Sequence, residues 1–191
     1  MSNSVSDPAR RADAAPAFRN ATADDVPALV ALVTSAYRGA SSRSGWTTEA
    51  DLLDGARIDP DVLRQDIARA DSRVVVIDGA DGRPLACAHV AIEDGCGYFG
   101  MFAVDPTLQG RGTGDALLAE CERIAREAWQ LPTMRMTVID VRDALIAWYE
   151  RRGYRRTGIH KPFPYGDTRF GVPLRDDLRF EVLEKALEAR A

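Results

Sequence analysis

The stretch that most restricts how this chain can fold runs from Gly100 to Asp115 and reads G-M-F-A-V-D-P-T-L-Q-G-R-G-T-G-D. Met101 to Val104 has the composition of a buried strand. Asp105-Pro106 ends it, because proline cannot donate to a strand ladder. Three alternating glycines, Gly110, Gly112 and Gly114, then precede a helical pattern that starts at Ala116. The order is strand, turn, glycine loop, helix. Glycine admits a positive φ and lets N–H groups approach a ligand unhindered. The first N–H groups of the helix lack internal partners, and the helix dipole adds partial positive charge there. Together they make an anion site suited to phosphate, with Arg111 as an added cation. The plain alternative is a loop that only connects two elements.

Spacing narrows the phosphate ligand. A P-loop needs Lys-Ser/Thr after the glycines, and here Gly114 is followed by Asp115-Ala116. The dinucleotide pattern needs a glycine where Asp115 stands. A third pattern fits. Val104-Asp105-Pro106 followed by Gln109-x-x-Gly112-x-Gly114 resembles the acetyl-CoA signature of the GNAT N-acetyltransferase superfamily, Gln/Arg-x-x-Gly-x-Gly/Ala at a helix start just after a strand. A second segment, R-D-A-L-I-A-W-Y-E-R-R-G-Y from Arg142 to Tyr154, resembles the family's Asn-x-x-Ala-x-x-Leu/Phe-Tyr-Glu-Lys-x-Gly-Phe. It lies one helix and one strand after the glycine loop, as in the family.

The resemblance implies an α/β (α+β) fold. Its mixed, mostly antiparallel sheet of six to seven strands splays between the fourth and fifth strands, with helices on both faces. Acetyl-CoA would enter that gap. Backbone at Phe102, Ala103 and Val104 would meet the pantetheine arm and polarise the thioester carbonyl. Main-chain N–H groups across Gln109, Gly110, Arg111, Gly112, Thr113, Gly114 and Asp115 would hold the pyrophosphate. A primary amine of a small molecule or peptide would attack the thioester directly. Tyr149 matches the family's general acid for the departing thiolate; the alternative is a packed aromatic. Two departures stand out. The family's asparagine falls on Arg142, and the strand positions where some relatives carry a glutamate base are Gly100 or Met101, and Thr137. That leaves the base open, with Glu93, Asp94 or Asp140 acting through water, or an amine arriving neutral. Trp46, Phe163 and Tyr165 are candidates for the acceptor pocket, and Asp167 for a cationic amine. The runner-up reading is a non-catalytic acyl-CoA-binding module.

Along the chain, residues 1–16 are expected as a disordered tail and 17–191 as one domain. The pattern gives a strand at Phe18 to Asn20 and a helix from Asp24 to Tyr37 behind a Thr22-x-x-Asp25 capping box. A Ser/Gly-rich segment then runs to Asp59, followed by a helix from Pro60 to Ala70. Strands follow at Arg73 to Asp78, Pro84 to Glu93 and Cys96 to Val104, as a meander. After the loop come a helix from Asp115 to Trp129, a strand from Met134 to Ile139 and a helix from Ala144 to Arg151 capped by Asp143. A strand from Tyr154 to His160, an aromatic loop and a last strand or strand-into-helix from Leu178 to Leu187 close the chain.

Composition excludes several classes. A net charge of −4 offers no basic footprint for nucleic acid and weakly favours a cationic substrate. Only Lys161 and Lys185 are lysines, so nearly all positive charge is arginine, which reads as codon bias. Cys87, Cys96 and Cys121, with His89 and His160, form no metal-ligand spacing, so no metal is expected. No run reaches the ~18 apolar residues of a membrane span. The N-terminal stretch lacks an apolar signal core, so a cytoplasmic location with reduced thiols is expected, and a homodimer is possible.

Overall fold

The computed structural model describes residues 16–188. The expected tail lies, but for Pro16, outside the described residues. The strands are β1 (Phe18–Asn20), β2 (Leu53–Asp54), β3 (Ser72–Asp78), β4 (Pro84–Glu93), β5 (Cys96–Val104), β6 (Thr133–Ile139), β7 (Arg155–Pro162), β8 (Val172–Pro173) and β9 (Arg179–Ala186). The α-helices are α1 (Val26–Tyr37), α2 (Gly39–Ser42), α3 (Pro60–Ala68), α4 (Thr113–Arg123) and α5 (Asp143–Glu150). Seven strands form one sheet in the order β1-β3-β4-β5-β6-β9-β7, and β2 pairs with β8 apart from it. Every pairing is antiparallel except β5 with β6.

Strand β3 explains why helices cover both faces. Its run Val74-Val75-Val76-Ile77 is apolar at every position, so neither side can face water. With a period of two, Val75 and Ile77 join the core under α4 and α5, while Val74 and Val76 join the core under α1 and α3. Helix α1 begins where the Asp25 carboxylate accepts from Thr22 N–H at 2.7 Å, as the capping pattern implies. Asp59 caps α3 by accepting from the N–H groups of Asp61 and Val62.

The structure departs from the sequence reading at four places. The helix expected to reach Trp129 ends as α-helix at Arg123 and continues as a π-turn, where Trp129 N–H bonds Ile124 C=O at 3.2 Å. Asp143 is the first helical residue of α5, and Arg142 takes the cap position. Tyr154 is not in β7 but fully buried ahead of it, its hydroxyl donating to Glu122 at 3.0 Å. The last segment is strand throughout, and it inserts between β6 and β7. No helix among the described residues is long and apolar enough to cross a membrane.

Candidate functional site

The site forms where the sheet opens. Strands β5 and β6 pair only at Gly97 with Met134 and Tyr98 with Arg135; beyond that they diverge. On its other edge β5 stays bound to β4, but with a bulge. His89 pairs with Gly100 and Cys87 with Ala103, so Met101 and Phe102 together face Ala88. Met101 takes the extra residue at φ 45°. Asp105 N–H donates to Leu85 C=O of β4 at 2.8 Å. By the strand's period of two, Phe102 and Val104 therefore turn their N–H and C=O groups toward the open side. Two side chains meet those carbonyls in place of β6. The Tyr37 hydroxyl donates to Phe102 C=O, and Gln109 Nε2 donates to Val104 C=O at 3.2 Å.

A pocket of about 330 Å³ lies on one side of the opening, walled by Trp46, Phe102, Gln109, Gly112, Trp148 and Arg152. Gly110 and Gly112 both have φ near +82°, a backbone that side chains rarely adopt. The first helical bond of α4 runs from Ala116 N–H to Gly112 C=O at 3.0 Å. Among the described residues no hydrogen bond starts from the main-chain N–H groups of residues 112–115, the first turn of α4. Their donors are the unsatisfied start of a helix, placed beside a cavity. Arg152 stacks 3.5 Å over the Trp148 ring and pairs with Asp115 at the loop's rim. Gln109 also reaches the opposite wall, where its Oε1 accepts from Trp46 N–H at 3.0 Å and its Nε2 donates to Thr47 Oγ1 at 2.9 Å. That approach needs glycine at 45, since a Cβ there would lie 2.8 Å from Gln109 Oε1.

A second cavity, about 380 Å³, lies across the bulge between α1, α3, β6, α5 and the segment before α3. Its charged wall centres on Glu49, which is only 4% exposed. Arg38 Nη1 lies 2.7 Å from Glu49 Oε2, Arg57 Nε 3.3 Å from the same oxygen, and Arg142 Nη1 2.8 Å from Oε1. Burial alone would push the Glu49 carboxyl up; Arg57, Arg142 and Arg38 outweigh it and hold it below the usual range. Arg142 also donates to Thr47 C=O at 2.6 Å, and both Arg57 and Arg142 lie over the Tyr37 ring.

Tyr149 lines this cavity, packed edge-on to Phe99, Trp148 and Tyr154. Burial raises its phenol well above the ordinary value, so the hydroxyl keeps its proton. His89 also lines the cavity, its Nε2 2.8 Å from Ser72 Oγ, and burial lowers its pKa.

The sequence-derived residues divide between the two pockets. Phe102, Val104, Gln109, Gly110, Gly112, Gly114 and Asp115 gather at the first, and Trp46 stands there too, 6.1 Å from Trp148. Ala103 turns to the other face, under α1. Arg111 and Thr113 sit in the loop itself. Phe163 reaches the second cavity. Tyr165 lines neither; its oxygen accepts from Leu178 N–H at 2.6 Å. Asp167 is taken by Arg169 at 2.7 Å. Glu93, Asp94 and Asp140 are not on either wall, and Asp140 pairs with Arg179. Glu49, Arg57, Asp66, His89 and Tyr98 were missed. The one available signal was the surplus of arginine over lysine.

Comparison with known proteins agrees with this geometry. The family model described as Acetyltransferase (GNAT) family matches residues 36–154. No curated protein matches in sequence. Among solved structures, the ribosomal-protein-S18-alanine N-acetyltransferase from Escherichia coli superposes with a TM-score of 0.66 at 15% identity, covering 92% of this chain and 96% of that one. A ribosomal-protein-alanine N-acetyltransferase from Brucella melitensis gives 0.65 at 21% identity, over 89% and 99% of the two chains. A spermidine N-acetyltransferase variant from Vibrio cholerae gives 0.64 at 13%, over 91% and 94%. At these identities the superpositions establish a shared fold.

Proposed function

The chain belongs to the GNAT acetyltransferase family and is an acyltransferase, and from that premise we propose that it moves the acetyl group of acetyl-CoA directly to a primary amine of a small molecule or peptide. The observation that carries the reading is the run of unpaired N–H groups over residues 112–115, behind the glycine loop at the mouth of the opened sheet. Such a run suits a diphosphate, whose charge a helix start and its N–H groups stabilise together. The residues present fit the coenzyme: nothing lies within 4 Å of where a Cβ would stand on Gly110 or Gly112.

In this reading the N–H groups of Phe102 and Val104 face the bound pantetheine and thioester in the place β6 leaves empty. The Phe102 N–H then stabilises the negative charge that grows on the carbonyl oxygen as the amine attacks. The amine reacts as its neutral form. His89, whose pKa burial lowers, lines the cavity and in this reading serves as the base that accepts its proton. Tyr149 donates its proton to the departing thiolate. A His89→Gln variant whose kcat/KM keeps the wild-type acid limb would remove His89 from this scheme.

A thiol-release assay across polyamines, amino acids, aminoglycosides and peptides tests the whole reading, together with calorimetric titration of acetyl-CoA. Binding with thiol release is expected. Binding without release from any class would favour an acyl-CoA-binding module, and no binding at all would end the proposal.

A further inference from the structure

The acceptor cavity gathers guanidinium groups around one buried carboxylate. Three guanidinium groups, of Arg38, Arg57 and Arg142, converge on the single carboxylate of Glu49. Both oxygens of that carboxylate are already used. Arg142 is satisfied by Glu49 and by Thr47 C=O. Arg57 differs. Its ion pair with Glu49, from a buried Nε to Oε2 at 3.3 Å, is the longest of the three and falls outside hydrogen-bond geometry. The charged and titratable neighbours that act on it are Glu49, Tyr37 and Tyr98, with no second carboxylate among them. Asp66, the other acid on this wall, lies by His89 and Arg69 instead. The same cavity also has apolar lining, including Leu53, Ile58, Val62, Phe163 and Phe180.

We propose that Arg57, backed by Arg142, is an anion anchor in the acceptor site, and that the acetylated amine carries a carboxylate beside an apolar body. A free amino acid has this chemistry. A guanidinium fork matches a carboxylate in plane and in hydrogen-bond geometry. The anchor also reverses the expectation from net charge, which favoured a purely cationic acceptor: the whole chain is acidic, but this wall is not. A cavity of about 380 Å³ fits a single amino acid. The inference rests on the acetyltransferase reading above.

The test uses the full chain and acceptors that keep the side chain and change the carboxyl group, free L-amino acids and their α-carboxamides compared at equal concentrations of neutral amine, with spermidine as an unrelated polycation. Thiol release is measured with wild type, Arg57→Gln and Arg57→Lys, and acetyl-CoA binding is measured for each as the check of folding. The expected result is a carboxylate-to-carboxamide ratio of kcat/KM on the order of 10- to 100-fold, the scale of one charge-assisted pair. In Arg57→Gln that ratio falls to near one, through KM, and in Arg57→Lys it is partly kept. If amides or spermidine match or exceed the free acids in the wild type, the anchor is wrong and the acetyltransferase reading stands. An undiminished ratio in a coenzyme-binding Arg57→Gln protein equally rejects Arg57. If no acceptor of any class releases thiol while acetyl-CoA binds, both fall together. Should Arg57→Gln not fold, the wild-type pairs and Arg57→Lys still decide.

Discussion

The two pockets that flank the open strand are made by opposite means. The one at the glycine loop comes from consecutive residues, Gln109 to Asp115, and presents main-chain N–H groups. The one across the bulge draws its charged wall from positions 38, 49, 57 and 142 and presents side chains. The first depends on backbone conformation and tolerates changes of side chain that leave φ alone. The second depends on charge balance and fails when one partner is lost. Chemistry that every homologous reaction shares suits the first kind of site, and chemistry that selects one acceptor suits the second.

The sharpest way to break the contrast is Glu49→Gln. It leaves three guanidinium groups, one buried and two half-buried, without their shared carboxylate, so a loss of about 3 kcal/mol is expected, or a fall in Tm on the order of 10 °C by calorimetry. Glu49 sits below its ordinary pKa, so its contribution is present above the unfolded carboxylate's value and is lost as pH falls through the lowered folded one. The gap between wild type and variant should therefore hold at neutral pH and close only in acid. A variant as stable as wild type would mean the cluster is not a unit.

Tyr149→Phe comes next, with a loss of about 10- to 10³-fold in kcat. Because burial holds the phenol well above 10.0, the loss should not shrink anywhere between neutral pH and that value. An unchanged kcat, or a penalty that fades with rising pH, would return Tyr149 to a packing role. Gly112→Ala is smaller. Its φ of 83° costs an L residue about 1–2 kcal/mol, so acetyl-CoA should bind roughly tenfold more weakly in calorimetry while the acceptor KM stays put. The least effect belongs to Gln109→Ala, which keeps the main-chain N–H. Acetyl-CoA affinity should barely move, whereas the acceptor KM should rise by about the few-fold that one or two hydrogen bonds carry. A large loss of coenzyme affinity would place the glutamine side chain, rather than its backbone, in the first pocket.

This contrast also explains what could be read from the chain. Val104-Asp105-Pro106, the glycines and Trp148-Tyr149-Glu150 are contiguous, and each has a local physical meaning, so the loop, the meander and α5 were legible. Glu49 sits in T-T-E-A-D, which looks like any solvated turn. Its burial follows only from arginines brought in by α1, by the segment before α3 and by the cap of α5. No spacing encodes that, and the arginine surplus passed for codon bias. The position of β9 between β6 and β7 was hidden for the same reason, since alternation marks a strand but not its neighbour. The π-turn after Arg123 left no composition signal at all.

Gln109 touches both walls with one amide group: Val104 C=O on the strand, and Trp46 N–H and Thr47 Oγ1 on the segment leading to Glu49. An amide shared in this way cannot respond to one ligand without informing the other. If filling the glycine-loop pocket shifts it, the free energy felt at the acceptor wall must equal that felt in the reverse direction. The order in which the two substrates load is then a thermodynamic property of a single side chain, open to measurement as reciprocal changes in their dissociation constants.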